Sequence, residues 1–166
     1  MMLGLSKIIE TPGASIPFST EVDLSDLCYG VSYPVTEPVT AEGTVRNTAG
    51  VLMMKGAIRT CIHGVCDRCA ANFDRDMEVP IDVVLVTELA DEENEDEWVF
   101  PLEGDSADLE DIVRTVFVLN MDSKLLCKED CKGLCCRCGK NLNEEACTCQ
   151  KEIDPRLAAL KQLLEK

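Results

Sequence analysis

Eleven cysteines stand in this chain of 166 residues, and seven of them fall in the 24 positions of "LCKEDCKGLCCRCGKNLNEEACTC", residues 126–149. Sulfur at this density can close disulfides, run thiol–disulfide exchange or hold a metal ion. The odd cysteine count argues against a fully paired disulfide framework. The opening stretch, "MMLGLSKIIETPGASIPF", has no basic leader before a long apolar run and no small-residue cleavage site. The expectation is therefore a cytoplasmic protein in a reducing compartment, where thiols persist and disulfides are rare. No stretch reaches about 18 uncharged apolar residues, so no membrane span is expected. Metal binding is the favoured chemistry.

The spacing says how sulfur would be presented. Two C-x-x-C pairs occur, Cys66/Cys69 and Cys135/Cys138. A tight turn of this kind points both thiolates inward and lets backbone N–H groups donate to sulfur, and Gly139 relieves the backbone strain after the second pair. In "CTC", Cys147 and Cys149 lie on the same side of an extended segment, because side-chain direction repeats every two residues. Cys135, Cys138, Cys147 and Cys149 thus form a compact set across the eight-residue loop "GKNLNEEA". Cys127 and Cys131 are spaced i, i+4, as on one face of a helical turn.

The favoured arrangement joins these two to Cys66 and Cys69 in a second tetrahedral site that ties the first half of the chain to the last. Two others stay open: Cys127, Cys131, Cys135 and Cys138 against Cys66, Cys69, Cys147 and Cys149, or a local set of Cys61 and His63 with Cys66 and Cys69. His63, the only histidine, otherwise reads as a hairpin residue bonded to backbone or water. Cys28 and Cys61 read as small core residues, and Cys136 as a non-ligand between two ligands. Eight thiolates for two Zn²⁺ ions leave no coordination position for water, which describes structural and not catalytic zinc.

Other chemistries fit less well. A redox C-x-x-C wants an exposed, low-pKa thiol at a helix start in a βαβ setting, and neither pair has one. The order C-x3-C-x3-C-x2-C departs from the ferredoxin run. No phosphate-cradling Gly-rich loop, Ser–His–Asp set or metalloprotease helix is visible. The expectation is a protein that is not an enzyme.

The elements that must carry these sulfurs give an α+β class. Residues 15–88 alternate in the manner of strands: "SIPFSTEVDL", "TAEGTVRN", "GVLMMKGAIRTCIHGV" and "NFDRDMEVPIDVVLVTE", separated by Gly and Asn turn signals. An antiparallel meander with "CDRC" at a hairpin tip follows, with Pro80 suited to an edge or a bend. The run "DEENEDE", residues 91–97, reads as a solvated loop, or more sharply as an acidic mimic for a basic partner; "EWVF" then returns as a short strand. "SADLEDIVRTVFVLNMD" is the clearest helix, about 108–121, capped by Ser106 or Asp108, with a core stripe of Leu109, Ile112, Val113, Val116 and Phe117. "IDPRLAALKQLLEK" predicts a C-terminal helix capped by Asp154 with Pro155 at its first position. The expected organisation is a β-rich domain over 1–122 and a Cys-rich zinc lobe with the last helix over 123–166.

Net charge is −15, unevenly spread. Residues 46–75 and 124–140 each hold five cations and two acids, a local +3, which leaves −21 for the rest. Both basic islands coincide with the C-x-x-C pairs. They suit phosphate binding, or they offset the charge of thiolate-bound metal.

Taken together, the first-half C-x-x-C, the acidic middle, "LCKEDCKGLCCRCGKNLN", the later "CTC" and the ending "DPRLAALKQLLEK" resemble the YceD family over residues 43–166. One departure is Cys136, where members of that family usually carry Pro. The resemblance implies a role in large-subunit ribosomal RNA synthesis, processing or stability, and a gene that often neighbours that of a zinc-ribbon ribosomal protein. It brings no catalytic residues. The partners it implies are a ribosomal protein or a ribosome-assembly intermediate, with direct ribosomal RNA contact through the basic islands as the other route.

Overall fold

The computed structural model describes residues 1–30, 32–87 and 98–149. The acidic run 91–97 and the C-terminal helix expected from the sequence lie outside these residues. The elements are β1 (Met2–Gly4), α1 (Ser6–Ile9), β2 (Ser15–Val22), β3 (Val39–Thr48), β4 (Val51–Val65), β5 (Asn72–Val86), β6 (Val99–Pro101), β7 (Ser106–Asp108) and α2 (Leu109–Leu119). A five-stranded sheet runs in the order β2-β3-β4-β5-β6, antiparallel through β5, with β6 added parallel; β1 pairs with β7 separately. The class is α+β, as expected.

Alternation decides which face is buried. Phe18, Val22, Val39, Ala41, Val45, Met54, Ile58, Val79, Ile81 and Val83 share the inner face, and α2 covers it with Leu109, Ile112, Val113, Val116 and Phe117. Asp108 caps α2 by accepting from the Glu110 N–H, and Glu110 and Asp111 favour its positive end. The outer face is polar, with Lys55 bonded to Asp82 at 2.9 Å and Arg59 to Glu78 at 3.3 Å across the β4/β5 pair. Where Gly43 faces Gly56 the two backbones close up: a Cβ on either would lie 2.2 Å from a carbonyl oxygen of the opposite strand. The β4/β5 pair is therefore threaded tightly against β3 at this point.

The feature that matters for the cysteines is a length mismatch. β3 pairs with β4 only as far as Arg59, whereas β4 continues against β5 to the pair Val65↔Asn72. Residues 60–65 and 72–77 therefore leave the sheet as a two-stranded ribbon, a construction of marginal stability in water by itself. Cys66 and Cys69 stand at its tip. Pro80 lies within β5 at a place β6 does not reach, since β6 pairs only with Val84–Val86; among the described residues no strand pairs with that edge there, which suits Pro.

Two expectations are corrected. Cys127 and Cys131 do not lie on a helix: residues 128–131 form a tight turn in which the Cys131 N–H donates to the Lys128 carbonyl. Cys28 is not a core residue; it is exposed in the β2–β3 connection, and Cys61 is half-buried on the polar outer face. Alternation explains the latter, because Cys61 shares its side of β4 with Arg59 and His63 while Ile58 and Ile62 face inward. Among the described residues no helix is long and apolar enough to cross a membrane.

Candidate metal centres

The thiols gather into two groups of four, Cys66/Cys69/Cys127/Cys131 and Cys135/Cys138/Cys147/Cys149, with the sulfurs of each group within 4.8 Å of one another. Of the three pairings open from the sequence, this is the favoured one. Neither Cys61 nor His63 joins a group. His63 instead directs Nδ1 to Asp74 Oδ1 at 2.7 Å across the ribbon, a carboxylate and not the backbone or water its position suggested.

The two C-x-x-C turns are conformational copies. In the first, the Ala70 N–H donates to the Cys66 carbonyl and the Cys66 N–H to the Ala71 carbonyl; in the second, Gly139 N–H reaches the Cys135 carbonyl and Cys135 N–H the Lys140 carbonyl. The residue after each second cysteine is left-handed, Ala70 at φ 55° and Gly139 at φ 70°. These turns direct amides at sulfur. Arg137 N–H lies 3.4 Å from Cys135 Sγ; outside the two turns, in the C-x-C segment, Cys149 N–H lies 3.2 Å from Cys147 Sγ.

The first group is buried. Cys66, Cys69 and Cys131 expose 2, 5 and 4% of their surface, and Ala71, Phe73 and Leu126 pack around them. Several contacts hold its two chain segments together. Asp67 N–H donates to the Leu125 carbonyl and Leu125 N–H returns to Asp67 Oδ2, both at 2.8 Å. Arg68 donates to the Glu129 and Cys131 carbonyls. Gly133 lies so close to the first turn that a Cβ would come within 2.9 Å of the Arg68 oxygen. Asn143, in the loop of the second group, gives Nδ2 to Cys131 Sγ at 3.3 Å while its Oδ1 accepts from Lys132 N–H. Asp67, Arg68, Gly133 and Asn143 were not singled out from the sequence; only the glycine in "CKGLC" carried a local turn signal.

Whether the residues suit a metal can be tested on spacing and charge. A tetrahedral ion with sulfurs at ~2.3 Å places them ~3.8 Å apart. Cys66–Cys131 and Cys69–Cys127 are each 3.7 Å apart; Cys138–Cys147 is 3.5 Å and Cys135–Cys147 3.3 Å. Four thiols this close cannot all ionise alone. Burial opposes charge on Cys66, but amides of Cys127, Cys69 and Arg68 bring its pKa down to about 6. Burial and the neighbouring thiols push Cys127 up to about 12. In the second group the Cys138 and Arg137 amides bring Cys135 to about 6, while the Cys147 and Cys138 thiols push Cys149 to about 12. One divalent cation at each centre removes that conflict. Both groups could hold a metal ion.

Comparison with known proteins follows the same residues. The model of the family described as "Large ribosomal RNA subunit accumulation protein YceD" matches residues 54–164. The chain belongs to the YceD family. The matched span takes in both thiol groups, β4 from Met54 onward, β5 and α2. This YceD-family chain is 29% identical to the large ribosomal RNA subunit accumulation protein YCED homolog 1, chloroplastic, of Arabidopsis thaliana, over 72% of this chain and 46% of that one. With the homologue of that name in Zea mays it shares 25% identity over 75% of this chain and 53% of that one. An uncharacterized protein of Mycobacterium tuberculosis strain H37Rv is 26% identical over 72% of this chain and 59% of its own length. The chain spans about half the length of the curated relatives it matches. No solved structure gives a significant match.

Proposed function

We propose that this chain is a zinc-stabilised accessory protein of the cytoplasm that supports large-subunit ribosomal RNA accumulation and ribosome assembly by binding a protein partner, without catalysis. The observation that carries the reading is the pair of closed four-thiol groups in a chain of the YceD family. Cys66, Cys69, Cys127 and Cys131 would hold one Zn²⁺, and Cys135, Cys138, Cys147 and Cys149 the other. Zinc bound in this way supplies folding energy and leaves no position for substrate.

The charges favour a protein over bare RNA as the direct partner. In the first basic island Lys55, Arg59 and Arg75 are paired with Asp82, Glu78 and Asp122, and Arg68 is engaged with carbonyls. In the second, Lys140 pairs with Glu145 and Lys128 lies 4.0 Å from Asp130. These six of the ten island cations already have partners within the fold, and the remaining −21 opposes non-specific association with a polyanion. A basic ribosomal protein fits that field.

Elemental analysis of the full chain is expected to give two zinc ions, with Cys66→Ser and Cys135→Ser each losing one. The partner is tested by pull-down with ribosomal proteins and ribosomal RNA fragments across a salt series. Tight binding to bare RNA with a steep salt slope, or a folded protein that carries no metal, would overturn the corresponding half of the reading.

A further inference from the structure

The two thiol groups differ in a way that assigns them different duties. The first is largely buried: three of its four cysteines are buried and Cys127 is half-buried, and its halves come from chain segments about 60 residues apart, bonded to each other through Asp67–Leu125 and Arg68. The second closes within residues 135–149. Cys138 and Cys149 are exposed, Cys135 and Cys147 half-buried. It opens on a groove of about 380 Å³ lined by Leu134, Cys136, Arg137 and Leu142 beside Cys135, Cys147 and Cys149. A reagent of peroxide size reaches these sulfurs from solvent. To reach Cys66, Cys69 or Cys131 it must wait for the ribbon tip to open, which leaves half-buried Cys127 without an accessible partner for a disulfide.

We propose that the second group is a redox-sensitive metal site, whose thiolates are oxidised to a disulfide and release their ion while the first group stays loaded. This rests on the reading that both groups bind zinc. Cys147 is the common partner, 3.3 Å from Cys135 and 3.5 Å from Cys138. Two metal-bound thiolates give two electrons to a hydroperoxide and join in an S–S bond. The O–O bond of hydrogen peroxide breaks, takes two protons from solvent and leaves as two waters. The ion, left with two of its four thiolates, departs hydrated, and a thiol reductant with fresh zinc reverses the change. Because the sulfurs of the first group clamp the ribbon and those of the second do not, oxidation reshapes chiefly the surface carried by residues 132–149 and reaches the first group only through the Asn143 bond to Cys131 and the Leu134 N–H to the Arg68 carbonyl. A binding protein thereby gains a reversible control on that surface.

The test treats the full-length, zinc-loaded chain with graded hydrogen peroxide in the presence of a chromogenic zinc chelator, with the disulfides mapped under non-reducing conditions. One of the two ions is expected to leave about tenfold or more faster than the other, the ratio a difference of ~1.4 kcal/mol in opening would produce. The first disulfide is expected among Cys135, Cys138, Cys147 and Cys149, with the far-ultraviolet circular dichroism of the sheet retained. Cys136→Ser, which removes the exposed thiol in the groove but no member of the group, is expected to release the same ion. Simultaneous loss of both ions, first oxidation at Cys66, Cys69, Cys127 or Cys131, or abolition of release by Cys136→Ser would each overturn the proposal alone. A chain without zinc before peroxide is added would overturn the metal reading, and this one with it.

Discussion

Asn143 is the side chain through which the two thiol groups touch. Its amide donates to Cys131 Sγ of the first group from a loop that belongs to the second, and burial that would raise the Cys131 pKa is outweighed by this bond and by the Gly133 amide. Such outer-shell donors orient a ligand and stabilise its charged form. Asn143→Ala is therefore expected to weaken zinc binding at the first group by roughly tenfold while leaving the second nearly unchanged. Competition against a chromophoric chelator measures both affinities; equal losses at the two groups would show that the bond is not specific. The cysteines themselves were readable from spacing, since C-x-x-C and C-x-C place sulfurs by local backbone geometry alone. Asn143 was not, because its partner Cys131 stands 12 positions back in the other thiol group, a distance no local spacing rule covers.

The two C-x-x-C turns repeat the same hydrogen bonds, so the left-handed residue that ends each is a natural comparison. Gly139 adopts φ 70° without a Cβ, whereas Ala70 holds φ 55° with one. The left-handed conformation costs an L-residue about 1–2 kcal/mol. Gly139→Ala is expected to destabilise the second turn by ~1 kcal/mol, and Ala70→Gly to leave the first neutral or stabilised by up to ~1 kcal/mol once glycine's greater backbone entropy is set against the relief. Denaturant melts of the zinc-loaded variants read both: Gly139→Ala must destabilise and Ala70→Gly must not. Strands β2 to β5 and helix α2 were legible because period-two and 3.6-residue patterns report directly which face is buried. The i, i+4 spacing of Cys127 and Cys131 misled: a single such pair, without an apolar stripe around it, does not distinguish a helix from a tight turn. Cys28 and Cys61 misled for a related reason, since cysteine's usual burial says nothing about whether it stands in an exposed connection, as Cys28 does, or on the outer side of a strand, as Cys61 does.

Across the whole molecule, metal, proton and fold are linked. Without an ion, Cys127 and Cys149 are held up to about 12 and keep their protons at neutral pH, whereas Cys66 and Cys135, at about 6, are already largely ionised. Binding must then expel at least one proton from each group, so affinity rises with pH and falls on acidification, by about tenfold per pH unit for each proton released. Zinc affinities at pH 6.5 and 7.5 check this; a flat profile would contradict it. Chelation at constant pH is expected to melt residues 123–149 and fray the ribbon tip while β2 to β5 and α2 stay folded, which hydrogen exchange would show segment by segment. Composition and spacing alone established the α+β class, the eight cysteines that gather and the polarity of the sheet, because each is a local property of the chain. Which four sulfurs share a centre, how deeply each centre lies and which lysines and arginines are already engaged were decided only by tertiary structure. Those follow from the ribbon formed where β4 and β5 outrun β3, which carries Cys66 and Cys69 to residues some 60 positions away.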